Sequence, residues 1–239
     1  VGDTLTMSGT TVPSWLTFTA STGVLTGTPT NDNVGTTGNA VVLTITDAAG
    51  ESVTDSFTIT VANTNDAPSF SSSPVLTAQE DDVYTYTAVG TDMDAGDTFT
   101  LGSSSVPSWL TFTASTGVLT GTPTNSDVGG HSVTLTVTDA AGATGTQTFT
   151  ITVSNANDAP TVTSTAITSA TEDSVYTYTL TASDADVGDT LTMAGTTVPS
   201  WLTFTASTGV LTGTPTNDEV GDHSVVLTVT DAAGESVTD

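Results

Sequence analysis

The sequence predicts an all-β chain built from tandem sandwiches. Three observations carry that expectation: apolar and polar residues alternate with a period of two, threonine makes up about a quarter of the 239 residues, and one unit recurs along the chain. Alternation places successive side chains on opposite faces of a strand. Threonine's branched Cβ favours the pleated conformation while its hydroxyl faces water. The string Val-Pro-Ser-Trp-Leu-Thr-Phe-Thr-Ala-Ser-Thr-Gly-Val-Leu-Thr-Gly-Thr-Pro-Thr begins at Val12, Val106 and Val198, so successive copies start 94 and 92 residues apart. Asn-Asp-Ala-Pro recurs at Asn65 to Pro68 and at Asn157 to Pro160 with the same spacing of 92. Repeats of this kind fix the architecture before any single element is considered.

Taken in order through the complete middle unit, residues 65–156, the chain first meets the Asn65-Asp66-Ala-Pro68 junction, where proline holds the preceding residue extended. Gln79-Glu80-Asp-Asp82 follows, an acidic turn, and then Val83-Tyr-Thr-Tyr-Thr-Ala88 reads as a strand. The loop Thr91-Asp92-Met-Asp94-Ala-Gly-Asp97 reappears as Ser183-Asp184-Ala-Asp186-Val-Gly-Asp189, with Val1-Gly-Asp3 as its remnant in the first unit. In Pro107-Ser-Trp-Leu-Thr-Phe112, Leu110 and Phe112 share a face expected in the core. Trp109 points the other way and is expected to cover a sheet edge or loop. Ser115-Thr-Gly117 is a turn, Val133-Thr-Leu-Thr-Val137 a strand, Asp139-Ala-Ala-Gly142 a turn and Phe149-Thr-Ile-Thr-Val153 a strand. No stretch keeps helical spacing over three turns. About seven strands per unit, separated by such turns, is the pattern of a sandwich of roughly 100 residues. Residues 1–64 form a partial unit lacking its first third, and 157–239 a unit lacking its last strand. The segment is therefore expected to come from a longer array.

Charge narrows the function. The chain has 26 Asp and Glu, no Lys, no Arg and no Cys, for a formal charge of −26. Phosphate backbones and anionic headgroups are held by Lys and Arg, so direct nucleic-acid and membrane-surface binding are excluded. No apolar run is long enough for a transmembrane helix and Val1 opens no signal-peptide pattern. With 36% apolar residues the chain is nonetheless expected to fold. The carboxylates gather at recurrent places: the Asp-x-Asp-x-Gly-Asp loops, Glu80 and its counterpart Glu172, the Asn-Asp-Ala-Pro junctions, and Thr-Asp-Ala-Ala-Gly at Asp47, Asp139 and Asp231. Unpaired acids held close repel or stay protonated, whereas calcium takes six to eight oxygen ligands. Calcium is the expected cofactor, against the alternative that each Asp caps its own turn and stays hydrated.

These motifs together resemble bacterial cadherin-like repeats, in particular the dystroglycan-type cadherin-like and immunoglobulin-like repeats of large surface proteins and adhesins. The resemblance covers the whole chain. It rests on the Thr-Val-Ser-Asn-Ala-Asn157-Asp158-Ala-Pro160 junction, the Asp184-x-Asp186-x-Gly188-Asp189 loop, the Ser-Thr-Gly-Val-Leu-Thr-Gly-Thr-Pro block and the Val-Thr-Asp139-x-x-Gly142 turn. It implies tandem immunoglobulin/cadherin-like Greek-key sandwiches arranged end to end, with calcium between successive repeats. One site is then expected from Asn65, Asp66, Asp92, Asp94 and Asp139. A second is expected from Glu80, Asn157, Asp158, Asp184, Asp186 and Asp231, and Glu172 repeats the Glu80 position. The acidic block that cadherins place after their mid-domain turn is here Gly121-Thr-Pro-Thr-Asn125 with only Asp127 nearby, so fewer ions than the full set are expected.

An enzyme is disfavoured by the same inventory. There is no Cys nucleophile, no Gly-x-Ser-x-Gly elbow with an assignable base, and His131 and His223 stand at one repeat position that Asn39 fills in the first unit. The function expected is a non-catalytic, calcium-stiffened extracellular or cell-surface array, a stalk or spacer of a large adhesin. Its partners would be neighbouring repeats of the same chain, then a cell-surface receptor, a glycan or other copies of itself. A self-assembling filament or sheath subunit is one alternative. A carbohydrate-binding accessory module is another, and it requires Trp15, Trp109 and Trp201 to be exposed in a row.

Overall fold

The computed structural model describes residue 2 and residues 4–239, so Val1 and Asp3 of the predicted loop remnant lie outside the described residues. The chain is all-β, its regular structure among the described residues consisting of strands and three short 3-10 turns, Asn31–Asn33, Asn125–Asp127 and Asn217–Glu219. No helix among the described residues is long and apolar enough to cross a membrane. The residues divide into two compact units. The first holds Val1–Val75, Thr85–Leu119 and Ser132–Phe149, the second Leu76–Tyr84, Thr120–His131 and Thr150–Asp239.

In the first unit, Ala40–Thr46 lies between Thr6–Thr11 and Ser52–Thr58 as the centre of an antiparallel three-stranded sheet. Leu16–Thr19 pairs with Val24–Gly27, and Phe99–Ser105 pairs antiparallel with residues 134–139 of the strand Gly129–Asp139. The predicted alternation of residues 133–137 is realised in full. Val133, Leu135 and Val137 are completely buried while the intervening threonines are half-buried. Leu110 is buried and Phe112 half-buried, on the shared face expected of them.

In the second unit, Val210–Gly213 lies between Tyr176–Thr179 and Leu202–Thr205, and Val226–Thr230 between Thr192–Thr197 and Ser236–Thr238. Its core gathers Tyr178, Leu180, Leu202, Leu211, Leu227 and Val229. Residues 152–154 of the strand Thr144–Ser154 run parallel to Thr77–Gln79. The strand pairing with residues 40–46, 134–139 and 226–230 carries the same irregularity in all three copies, at Gly9/Thr11, Ser103/Ser105 and Gly195/Thr197. Residues 65–156 contain nine strands where about seven were expected. The surplus comes from short pieces such as Ser69–Phe70 and Gly90–Thr91, which pair with each other over two residues.

Candidate metal centre

The acidic loop is shaped by its own backbone. In Asp92-Met-Asp94-Ala-Gly96-Asp97, the first carboxylate accepts from the amide of the third residue, Asp94 N to Asp92 Oδ1 at 2.9 Å, and the last amide, Asp97 N, reaches Asp94 O at 3.1 Å. Gly96 sits at φ +87°, a left-handed conformation that turns Asp97 back over the loop. The copy at Asp184 to Asp189 repeats each feature: Asp186 N to Asp184 Oδ1 at 3.0 Å, Asp189 N to Asp186 O at 3.2 Å, and Gly188 at φ +93°.

Each junction motif closes on its loop. Asp66 N donates to Asp94 Oδ2 at 2.8 Å and the amide of Asn65 donates to Asp139 Oδ2 at 2.8 Å. The second set matches, with Asp158 N on Asp186 Oδ2 at 2.9 Å and Asn157 Nδ2 on Asp231 Oδ2 at 2.8 Å. The Thr-Asp-Ala-Ala-Gly turn holds its aspartate from behind, through Ala143 N on Asp139 Oδ1 at 2.7 Å and Glu235 N on Asp231 Oδ1 at 2.8 Å. Those donors, the Asn65 and Asn157 amides foremost, hold the Asp139 and Asp231 carboxyls below their ordinary value despite burial. Glu80 is 2% exposed. Burial raises its carboxyl, the bond from Ala156 N at 3.3 Å opposes that rise, and the charges of Asp158 and Asp186 add to it.

All five residues expected at the first site are thus linked, and so are Asn157, Asp158, Asp184, Asp186 and Asp231 at the second, where Glu80 is tied to the neighbouring Ala156 amide and lies near the charges of Asp158 and Asp186. Glu172 stands apart, exposed on the wall of a groove beside Tyr176 and His223. Sequence reasoning left out Asp97 and Asp189. Carboxylate oxygens of Asp92, Asp97 and Asp139 lie within 4.8 Å of one another, as do those of Asp184, Asp186 and Asp189. The signal for them was present: the closing Asp of a loop whose glycine must turn it inward. Asn31, Asn125 and Asn155 were also missed. Asn31 Nδ2 reaches Asp66 Oδ2 at 2.7 Å, Asn125 Nδ2 reaches Asp158 Oδ2 at 3.3 Å and Asn155 Nδ2 reaches Asp186 Oδ1 at 2.8 Å. Asp127, the acid nearest Asn125 in sequence, turns away and accepts from Thr124 N and Oγ1 at 2.9 and 2.8 Å.

The donor set fits a hard divalent cation. Asp92 Oδ2, Asp94 Oδ1 and Asp184 Oδ2 are buried with no hydrogen-bond partner, and an uncompensated buried carboxylate oxygen is costly. Two unit charges about 4.8 Å apart repel by about 3.5 kcal/mol at an effective dielectric of about 20, a cost that neutral Asn amides offset only in part. With no Lys or Arg in the chain, a cation must come from solution. Each Asn amide that now donates its Nδ2 can present Oδ1 to an ion by a half-turn. All-oxygen ligands, several of them carboxylates, suit calcium rather than zinc or copper.

The tryptophans are packing residues of a different region. Trp15 Nε1 donates to Asn39 Oδ1 at 2.9 Å, and Trp201 lies edge-on to Tyr176 and His223 at centroid distances of 6.0 and 5.9 Å. Trp15, Trp109 and Trp201 are each half-buried.

Comparison with known proteins agrees with the fold. A Staphylococcus aureus (strain N315) protein named "Serine-rich adhesin for platelets" is 31% identical over 196 residues, 80% of this chain, and the chain spans 8% of that adhesin's length. The solved PcdhgB3 EC1-4 structure superposes with a TM-score of 0.64 at 16% identity, covering 100% of this chain and 64% of that one. The protocadherin gammaB4 extracellular domain gives 0.56 at 21% identity, covering 98% and 42%. These two likenesses establish the cadherin-type sandwich. The sequence also matches the family described as Putative Ig domain three times, over residues 1–62, 67–154 and 159–239. The chain is a member of that family of immunoglobulin-like repeats.

Proposed function

We propose that this chain is a stretch of a non-catalytic, extracellular adhesin array whose repeats, 1–64, 65–156 and 157–239, are stiffened at their junctions by calcium. One observation carries the reading: two acidic clusters, built alike from junction, loop and turn, each contain buried carboxylate oxygens without a partner. Asn65, Asp66, Asp92, Asp94, Asp97 and Asp139 would hold one ion. Asn157, Asp158, Asp184, Asp186, Asp189 and Asp231 would hold the other, with Glu80 beside them. Bound calcium supplies positive charge and a cross-link. The residues themselves position the ligands: Gly96 and Gly188 turn the closing Asp inward, while the amides of Asp66 and Asp158 pin each junction to its loop.

The likeness to a surface adhesin supports a place at the cell surface, where an array of this kind spaces a binding domain away from its anchor. Calorimetric titration of the chain with calcium tests the reading. Binding with dissociation constants of roughly 10⁻⁴–10⁻³ M, the range of extracellular modules, is expected. Replacing Asp184 and Asp186 by Asn should remove one class of sites and leave the other. Heats no greater than those of dilution would refute it.

A further inference from the structure

Two asparagines outside the expected ligand sets reach into the acidic clusters from a rigid support. Asn31 and Asn125 each open a 3-10 turn, Asn31–Asn33 and Asn125–Asp127, and both are half-buried. The turn fixes their main chain. Their carbonyls accept from Val34 N at 3.2 Å and Val128 N at 3.4 Å, and the third residue of each turn caps Thr30 N at 2.8 Å or Thr124 N at 2.9 Å. From that support the side chains extend to the junctions. Asn31 Nδ2 donates to Asp66 Oδ2 at 2.7 Å, and Asn125 Nδ2 to Asp158 Oδ2 at 3.3 Å and to Asp186 Oδ1 at 3.5 Å. Asn155 Nδ2 meets the same Asp186 Oδ1 at 2.8 Å. An ionised carboxylate only accepts, so the N–H edge of each amide must face it.

Each junction aspartate passes its own amide on to the loop, Asp66 N to Asp94 Oδ2 and Asp158 N to Asp186 Oδ2. The contacts therefore run from the turn, through the junction, to Asp94 and Asp186, which are 5% and 8% exposed. With no Lys or Arg in the sequence, side-chain amides offset the repulsion among these carboxylates without adding a further charge. The offset is incomplete. Asp94 Oδ1 and Asp184 Oδ2 are buried and keep no partner, so each cluster is joined by its own hydrogen bonds yet retains an oxygen that an ion would satisfy.

We propose that Asn31 and Asn125 set the calcium threshold of their junctions by competing with the ion for the junction aspartate. The inference rests on the calcium reading above and adds to it a competitor built into the chain. An amide N–H and a cation seek the same lone pairs on Asp66 or Asp158, so the ion gains only the difference between its own attraction and the bond it displaces. Apparent binding is weakened by the factor that favours the competing arrangement. An aspartate at either position would act in the opposite sense, because sites of this kind bind more tightly as their ligand charge rises. Asparagine keeps the junction joined at low calcium and reserves binding for the range of about 10⁻⁴–10⁻³ M in which extracellular modules work.

Calorimetric titration with calcium and urea unfolding in chelator are compared for the intact 239-residue chain and its Asn31→Ala, Asn125→Ala and Asn125→Asp variants. Asn125→Ala is expected to tighten one class of sites about tenfold and leave the other unchanged, and Asn31→Ala to do the same for the other class. In chelator both variants should unfold at lower urea than the unaltered chain, because a junction carboxylate has lost its donor. Asn125→Asp should show both effects more strongly. A variant too unstable to titrate is folded in calcium and its dissociation constant read by competition with a chelating dye. Weaker binding by Asn125→Ala would make Asn125 an ordinary ligand and overturn the proposal. An unchanged dissociation constant, or unfolding in chelator identical to that of the unaltered chain, would overturn it equally. Absence of calcium binding by the unaltered chain is a separate result, which would refute the calcium reading itself.

Discussion

Asn39, His131 and His223 occupy one repeat position. Asn39 Nδ2 donates to the carbonyl of Asn33 at 2.7 Å, His131 Nε2 meets the Asp127 carbonyl, and His223 Nε2 meets that of Glu219 at 2.7 Å. A carbonyl only accepts, so each ring carries its proton on Nε2. All three side chains therefore close the same 3-10 turn. His131→Asn should leave stability nearly unchanged in urea unfolding, whereas His131→Ala should cost about 1 kcal/mol. A structural role for these histidines was legible in the sequence because Asn replaces them in the first repeat. Their partner was not, since it depends on a turn of three residues that no periodicity announces. That turn also titrates. The Thr124 N–H, and then its hydroxyl, hold the Asp127 carboxyl below its ordinary value. A folded-state value below the unfolded one gives stability that is present above about pH 4 and is lost as pH falls through the folded value. Asn33 makes the same contact in the first repeat, accepting from Thr30 N at 2.8 Å. Asp127→Asn should therefore keep the turn while flattening the acid limb of a stability–pH curve by less than about 1 kcal/mol.

The acidic loop, with its glycine at positive φ, is the element on which the proposed calcium site depends. A Cβ added at Gly96 or Gly188 would meet nothing within 4 Å, so substitution there costs conformation rather than space. Gly188→Ala should lower stability by about 1 kcal/mol and weaken calcium binding at that loop alone, measured by calorimetry against the unaltered chain. The loop, the junction and the Thr-Asp-Ala-Ala-Gly turn were legible because each recurs at a fixed spacing. Asp97 and Asp189 were visible in the motif, yet their place beside the other carboxylates depends on the turn at the glycine. The strands at 133–137 and 149–153 were likewise legible from alternation. The parallel pairing of 152–154 with 77–79 was not, because period two fixes which face a residue occupies and says nothing of its neighbour's direction.

At the scale of the whole molecule, 26 carboxylates face no fixed cation. Their mutual repulsion is screened within about 8 Å at physiological ionic strength, so the chelated chain should gain stability as monovalent salt is raised. A thermal-unfolding midpoint independent of salt would mean that the acids lie too far apart to interact. In a linear array, stability is a sum of repeat and junction terms, and calcium is expected to act on the junction terms. At a hundredfold excess over its dissociation constant, one ion stabilises by about 2.7 kcal/mol. For a chain of this size that shifts the unfolding midpoint by roughly 5–10 °C per site. Thermal unfolding of the chain in calcium and in chelator, at matched ionic strength, is the most direct test of the account. It predicts a midpoint higher in calcium by at least that interval, with half or more of the gain lost in the chain carrying Asp184→Asn and Asp186→Asn. Superimposable unfolding curves in calcium and chelator would contradict it.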